Sequence, residues 1–241
     1  MLLKFAYDGT KFYGYQRQPD KPTVEGEIIS VLRDSGLDAT IKSASRTDRG
    51  VSALGNVIYL ADDEPERVMG VLNSRLHHIF FYGYSLENCN PRHARERWYR
   101  YHIPDFGYSL EDLREAASLF EGAHDFRHFT RARNNTELEI RKIVVNFSNG
   151  YFIVDFYAQY YLWNLIRRIV AAMVAYASGK KFSYEVFEEK NSFGLAPPEP
   201  LILMDVRYDF SFKIRPFKRR EREKLFRRYS AGMVYHYLSQ L

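Results

Sequence analysis

The residues best suited to chemistry lie between positions 43 and 56, which read SASRTDRGVSALGN. Asp48 stands at the centre, with Arg46 and Arg49 beside it and a glycine directly after, so a tight turn is predicted here. A strand-like pattern over 40–47 leads into the turn, and residues two apart in a strand share a face, so Arg46 and Asp48 are expected to point the same way. A carboxylate held in this way can act as a nucleophile. An aspartate that only shapes the turn is the alternative.

The spacing of apolar residues predicts the elements that would position Asp48. In the first half, strands and helices follow the order β-α-β-β-α-β. Its strands are predicted at 2–7, 40–47, 56–61 and 79–86, and its helices at 23–36 and 65–76. The second half follows the same order. Its strands are predicted at 98–103, 141–147, 151–158 and 201–208, and its helices at 109–122 and 163–177, with a short helix at 184–190.

We therefore predict an α+β fold built from two tandem β-α-β-β-α-β units, each ferredoxin-like or RRM-like. The units are expected to share one mixed, mostly antiparallel sheet with helices on one face. Residues 1–104 form the predicted first half, with Asp48, and residues 105–208 the second. Residues 209–241 are predicted to be a basic helical extension, which either contacts an RNA backbone or presents a solvated helix face.

The composition narrows the class of protein. The chain has 241 residues, a formal net charge of +5, 19 tyrosines and 18 phenylalanines, which is compatible with a nucleic-acid partner. A single cysteine, Cys89, excludes an intramolecular disulfide and a cysteine-cluster metal site, and fits a reducing compartment. With neither a leader pattern nor a membrane-length apolar run, the protein is expected to be soluble and cytoplasmic. The sequence has no phosphate-binding loop and no metal-ligand spacing of histidines, so neither a nucleotide cofactor nor a metal is expected.

Several separated motifs, in order along the chain, resemble those of the tRNA pseudouridine synthase A family. They are YDGT at 7–10, FYGYQRQ at 12–18, RTDRGV at 46–51, RWYRY at 97–101, LIRRIV at 165–170 and LAPPEPLIL at 195–203. The chain departs from bacterial members at Ser52, where they usually have histidine, and at Tyr15, where they usually have tryptophan. Ser52 with the residues that follow it is more similar to archaeal members.

The resemblance implies an isomerase that converts uridine to pseudouridine in the anticodon stem-loop of tRNA, at positions 38 to 40. It implies base flipping, no cofactor, and a homodimer across which one tRNA lies. Asp48 falls on the family's catalytic aspartate, and Arg167 on the arginine that pairs with it. Tyr99 falls on the active-site tyrosine, and Arg46 on the arginine beside the flipped nucleotide.

Pseudouridine formation breaks the bond between ribose C1′ and uracil N1, and then rejoins the base through C5. A carboxylate suits this step because it can form a covalent adduct, at C1′ or at C6. A site that excludes water needs a cation at contact to hold the carboxylate charge, and Arg167 is the candidate. The alternative for Arg167 is a side chain that snorkels out from a buried helix. Tyr99 is expected to stack on the uracil and help to move the C5 proton, or else to be a core tyrosine of a strand.

The residues expected to contact RNA are amides and guanidinium groups near these motifs: Gln16, Arg46, Arg49, Arg92 and Arg97. A target base in a stem must be extruded, and the flat guanidinium of Arg46 can fill the gap or grip a phosphate. A salt bridge to Asp48 is the other reading of Arg46. The alternative to an enzyme is a non-catalytic RNA-binding protein made of two RRM-like modules, which would not need Asp48 paired with Arg167.

Overall fold

The structure is a computed structural model that describes residues 1–190, 192–217, 219, 221–223 and 225. Its strands are β1 Leu2–Tyr7, β2 Ile41–Ser43, β3 Ser52–Leu60, β4 Ile79–Ser85, β5 Glu96–Pro104, β6 Gly122–Asp125, β7 Glu137–Ser148, β8 Tyr151–Ala158, β9 Leu201–Arg207 and β10 Lys213–Ile214. Its α-helices are α1 Val24–Asp34, α2 Pro65–Arg75, α3 Leu110–Leu119 and α4 Leu165–Ala177. Three short 3-10 helices lie at Gly9–Lys11, Arg127–Phe129 and Tyr184–Phe187.

Helices α1 and α3 begin where a side chain accepts a hydrogen bond from a free backbone N–H group. The Thr23 hydroxyl accepts a hydrogen bond from the Gly26 N–H at the start of α1, and the Ser109 hydroxyl accepts one from Asp112 at the start of α3. Helix α2 begins with Pro65, whose missing N–H costs nothing at that position. No helix among the described residues is long and apolar enough to cross a membrane.

All the described strands join one sheet, in the order β10-β4-β1-β3-β9-β5-β8-β7-β6, with β2 also paired to β3. Every pairing is antiparallel except that of β3 with β9, where Ser52 lies opposite Ile202 and Ala53 opposite Leu203. The prediction of an α+β fold with one mixed, mostly antiparallel sheet is therefore confirmed. The short parallel pairing is the seam at which the strands of the two halves meet.

Burial alternates along the strands, as it should when helices cover one face of a sheet. In β5, Tyr99, Tyr101 and Ile103 are buried, whereas Arg100 and His102 between them are partly exposed. Helix α3 packs against both α4 and β7 on the covered side. The same alternation in β4 shows that the covered face extends through both halves.

The structure departs from the predicted elements in four places. The strand predicted at 40–47 ends at Ser43, and the four-residue β6 was not predicted, so the second half reads β-α-β-β-β-α-β. Strand β5 pairs with β8 and β9, in keeping with its predicted place as the first strand of the second half, so the predicted boundary at residue 104 falls after that strand rather than before it. Strand β10 lies inside the predicted extension 209–241 and pairs with β4; most of that predicted helical extension lies outside the described residues.

Candidate active site

The segment 44–48 carries Asp48 out of β2 without regular strand pairing, and buried side chains hold it in place. The Arg97 guanidinium donates from Nε to the Ser45 hydroxyl at 2.9 Å and from Nη2 to the Ala44 carbonyl at 2.8 Å. The amide of Asn56, fully buried in β3, donates to the Ser45 carbonyl at 3.0 Å. Because these donors cannot reach water, moving the segment would leave them unpaired.

Thr47 is fixed from the other side of the segment. Its hydroxyl shares a hydrogen bond of 2.8 Å with the Tyr7 hydroxyl, and its carbonyl accepts one of 3.0 Å from the Tyr15 N–H.

The expectation that Arg46 and Asp48 point the same way rested on a strand that does not reach them. In the structure Arg46 is exposed and Asp48 is partly buried, and both line the same cleft although no strand holds them.

The turn after Asp48 requires the glycine that follows. Gly50 has a φ of +85°, in the left-handed region that favours glycine. A Cβ at this position would also lie 3.0 Å from Cγ of Pro198. The turn that positions Asp48 in the first half therefore packs directly against the segment that precedes β9 in the second half.

Asp48 is met by two donors from the start of α4. Nη1 of Arg167 lies 3.4 Å from Oδ2 of Asp48, and Nε1 of Trp163 donates to Oδ1 at 3.1 Å. The side chains of Asp48 and Arg167 are 28% and 12% exposed. The carboxylate is thus exposed enough to contact a substrate. The Arg167 guanidinium is shielded from solvent, and this shielding strengthens the attraction between the two charges.

Arg167 is held by protein oxygens as well as by Asp48. Its Nε donates to the Ala196 carbonyl at 2.7 Å, and its Nη1 also donates to Oδ1 of Asn164 at 3.2 Å. Asn164 has a φ of +61°, a left-handed conformation that asparagine tolerates better than most residues. Arg167 is therefore directed inward rather than snorkelling to the surface.

Tyr99 lies on the floor of the same cleft and is buried. Its ring meets that of Tyr161 edge-on, with 5.2 Å between the centroids. Burial raises the pKa of Tyr99 to about 12. The phenol therefore keeps its proton at neutral pH and is a flat packing surface and a hydrogen-bond donor rather than a base.

These groups share a cleft of about 870 Å³. Its lining includes six of the eight predicted site residues: Gln16, Arg46, Asp48, Arg49, Tyr99 and Arg167. Arg46 and Arg49 are exposed, and the Arg49 guanidinium lies 4.3 Å from the centre of the Tyr13 ring. The cleft thus combines one carboxylate with cations and aromatic faces, as a site for a nucleic acid requires.

The other two predicted RNA contacts do not line the cleft. Arg92 is exposed in the loop before β5. Arg97 is buried, and its guanidinium donates to the Gln159 and Arg92 carbonyls as well as to the segment that carries Asp48. Because its donors are already occupied inside the protein, Arg97 supports the segment that carries Asp48, and its burial argues against the predicted contact with RNA.

Trp163 lies at the candidate site but was not predicted from the sequence as a site residue. It precedes α4 by two positions and is 55% exposed, yet it contacts Asp48. The available signal was a tryptophan directly before an apolar helix, which is equally typical of a core anchor. Among the described residues, no group of three or more His, Cys, Asp or Glu side chains is arranged to hold a metal ion.

Comparison with known proteins identifies the family. A family model described as tRNA pseudouridine synthase matches residues 116–209. The tRNA pseudouridine synthase A of Pyrococcus furiosus is 40% identical over 223 residues, which cover 87% of this chain and 84% of that protein. That of Picrophilus torridus is 38% identical over 214 residues, which cover 87% and 82%. A chain of a solved Cbf5-Nop10-Gar1 complex has a TM-score of 0.39 at 15% identity and covers 70% of this chain and 44% of that one.

The identity to these archaeal relatives extends over most of both chains. The chain therefore belongs to the tRNA pseudouridine synthase A family. It is an enzyme, an isomerase of that family, and the resemblance seen in its sequence motifs is confirmed.

Proposed function

We propose that this enzyme isomerises uridine to pseudouridine in the anticodon stem-loop of tRNA, at positions 38 to 40, in the cytoplasm. The observation that carries the proposal is the Asp48 carboxylate, which faces a cleft and contacts Arg167 from the other half of the chain. The names of the archaeal relatives support tRNA as the substrate.

Asp48 is the proposed nucleophile. One carboxylate oxygen forms a covalent bond to the nucleoside, at C1′ with loss of the C1′–N1 bond or at C6 of the ring. On the C1′ route the freed uracil turns and C5 displaces the carboxylate from C1′. On the C6 route the C1′–N1 bond breaks, the ring turns, C5 bonds to C1′ and the carboxylate leaves C6. On both routes C5 loses a proton and N1 gains one, so Asp48 is regenerated and no redox change occurs. The nearby Arg167 guanidinium supports this role because it balances the carboxylate charge when the substrate excludes water from the cleft.

Tyr99 is the proposed neighbour of the uracil ring. Its buried position on the cleft floor supports stacking against the flipped base. Because its pKa of about 12 keeps the hydroxyl protonated, we assign it a packing role first, and participation in moving the C5 proton only as a hydrogen-bonded relay.

Arg46, Arg49 and Gln16 are the proposed RNA contacts within the cleft, and Arg92 a contact outside it. Arg46 is the residue proposed to assist flipping, because it is exposed and lines the same cleft as Asp48. A guanidinium can occupy the space of an extruded base or make a bidentate contact with a phosphate.

We also propose that the enzyme works as a homodimer with one tRNA lying across both subunits. The family resemblance supports this proposal. Light scattering on the purified protein should give twice the mass of the chain, and one tRNA should bind per dimer.

The decisive experiment uses tRNA labelled with tritium at uridine C5. The wild-type protein should release tritium, and Asp48→Asn should release none while still binding tRNA. Asp38→Asn is the matched control, because Asp38 is an exposed loop residue that does not line the cleft; it should keep full activity. Full activity of Asp48→Asn would reject the assigned nucleophile. Binding without any wild-type release would favour the non-catalytic RNA-binding alternative.

A further inference from the structure

We propose that Trp163 is a positioning residue for Asp48, which holds the carboxylate in the orientation needed for attack. This inference rests on the proposed role of Asp48 as nucleophile. It assigns a function to the one group at the carboxylate that the sequence motifs do not explain.

The geometry places one donor on each carboxylate oxygen. Nε1 of Trp163 lies 3.1 Å from Oδ1 of Asp48, and Nη1 of Arg167 lies 3.4 Å from Oδ2. A carboxylate with a single donor can still rotate about its bond to Cβ, whereas donors on both oxygens define its plane. Arg167 lies in the first turn of α4 and Trp163 two residues before the helix, so the two donors come from either side of the point where α4 begins.

The turn that presents Trp163 is itself well fixed. The Trp163 carbonyl accepts a hydrogen bond from the Thr130 hydroxyl at 3.2 Å, and the Arg131 guanidinium lies 5.5 Å from the centre of its ring. Asn164, the next residue, takes the left-handed backbone conformation and accepts from Arg167. The left-handed backbone of Asn164 therefore sets the angle between Trp163 and α4. With this angle, the side chains of Trp163 and Arg167 both reach Asp48.

Trp163 is 55% exposed, so its ring is not held beside Asp48 by burial in the core. Its indole N–H could bond to water instead, so the hydrogen bond to Asp48 is not required to satisfy a buried donor. An indole N–H is also neutral. It can orient the carboxylate without adding a second positive charge, which would make the carboxylate a weaker nucleophile.

Trp163→Phe tests the N–H, because it removes the donor with the five-membered part of the indole and keeps an aromatic ring at the position. A hydrogen bond to a charged group is typically worth enough to change a rate by about tenfold or more. Under single-turnover conditions with saturating enzyme, we expect the rate of tritium release to fall by about tenfold, and the Kd for tRNA to change by less than about twofold.

Trp98→Phe is the matched control. Trp98 is the other of the two tryptophans in the chain, and its Nε1 also donates to an aspartate, Asp155, at 2.7 Å, but outside the cleft. Its single-turnover rate should equal that of the wild type. An unchanged rate in Trp163→Phe would overturn the proposal, and so would a loss that lies wholly in the Kd for tRNA.

A spectroscopic measurement tests the contact independently of activity. In the Trp98→Phe protein, Trp163 is the remaining tryptophan, and its emission maximum should shift when Asp48 is replaced by alanine. An emission spectrum unaffected by Asp48→Ala would overturn the contact on which the proposal rests. If the wild-type protein releases no tritium, the proposed function fails, whereas the emission experiment still decides whether Trp163 bonds to Asp48.

Discussion

At the scale of single residues, the site depends on three arginines that are far apart in the sequence and that the fold brings to the segment around Asp48. Arg167 is partly buried beside the carboxylate, Arg97 is buried beneath it, and Arg46 is exposed at the cleft. Guanidinium groups serve all three purposes because they are always charged and donate in several directions. What distinguishes these residues is their environment, which only the tertiary structure supplies.

Arg46 should matter most when the target uridine is paired. Extruding a base from a stem costs a few kcal/mol, and less when the base is already mispaired. We expect Arg46→Ala to lower kcat/KM by about tenfold or more on a stem-loop with a paired target, and by less than about threefold when that uridine is mispaired. Tritium release from the two stem-loops measures the difference.

The control for Arg46→Ala is Arg33→Ala, which removes an exposed arginine from α1, outside the cleft. It should behave as the wild type on both stem-loops. Equal losses for Arg46→Ala on paired and mispaired substrates would contradict a role in flipping and indicate a simple phosphate contact instead.

At the scale of elements, β5 connects the core to the site. It presents Arg97 and Tyr99 on its covered face, so one strand both supports the segment that carries Asp48 and forms the floor of the cleft. The chemistry therefore depends on the register of β5 with β8 and β9.

Arg97→Met should destabilise the protein rather than weaken RNA contacts directly. Removing a buried cation leaves several acceptors unpaired, and we expect the free energy of unfolding to fall by about 2–4 kcal/mol. Urea denaturation measures this change. The rate of tritium release should fall as well, because Ala44 and Ser45 lose donors that fix the catalytic segment.

Arg95→Met is the control for Arg97→Met, since Arg95 is an exposed arginine just before the same strand. It should keep the wild-type denaturation midpoint. A variant Arg97→Met with wild-type stability and weakened tRNA binding would restore the original expectation that Arg97 contacts RNA.

The elements that could be predicted from the sequence are those with long apolar periodicity. Helix α4 and strands β5 and β8 have strong patterns and were predicted close to their observed positions. Strands β6 and β10, of four and two residues, carry too few residues for any pattern to show. The segment after Ser43 looks like a strand because small and polar residues alternate there, but buried hydrogen bonds from Arg97 and Asn56 replace the strand pairing.

The part of the candidate site that could be predicted from the sequence is the part that lies in recognisable motifs. Asp48, Tyr99 and Arg167 were assigned by resemblance, and the structure brings them to one cleft. The burial of Arg97 could not be read from its residue type, because an arginine that alternates with aromatics in a strand can face either side. The contact of Trp163 depends on the backbone angle of Asn164, which the sequence does not reveal.

At the scale of the whole molecule, the chain returns to its first half after building the second. From β9 it continues through Tyr208, Phe210 and Phe212, whose rings lie against one another, and then pairs with β4 through β10. The Arg215 N–H donates to the Tyr82 carbonyl at 2.7 Å just beyond β10. Residues 208–217 therefore pack against the folded part of the protein, with Tyr208, Phe210 and Phe212 partly buried against its core.

Two truncations should separate structure from RNA binding at this end. Residues 218–241 contain seven lysines and arginines and two glutamates. A protein ending at Phe217 should keep its thermal midpoint, but its tRNA affinity should depend less steeply on salt, since each lost phosphate contact reduces the slope of log K against log salt by about 0.7–0.9.

A protein ending at Tyr208 should instead lose stability, because it lacks β10 and leaves the edge of β4 unpaired. Thermal melts and salt titrations of tRNA binding on both proteins provide the comparison. If the protein ending at Phe217 has the same salt slope as the full chain, its basic residues do not contact the RNA backbone.

The short parallel pairing of β3 with β9 also has a consequence for biosynthesis. Ser52 and Ala53 acquire their partners only when Ile202 and Leu203 leave the ribosome, about 150 residues later, which at typical elongation rates takes on the order of 10–30 s. For that interval the nascent chain exposes an open strand edge next to Asp48. We therefore expect newly made chains to engage a chaperone at this point, and the catalytic residues to assemble only after Ile202 and Leu203 have emerged.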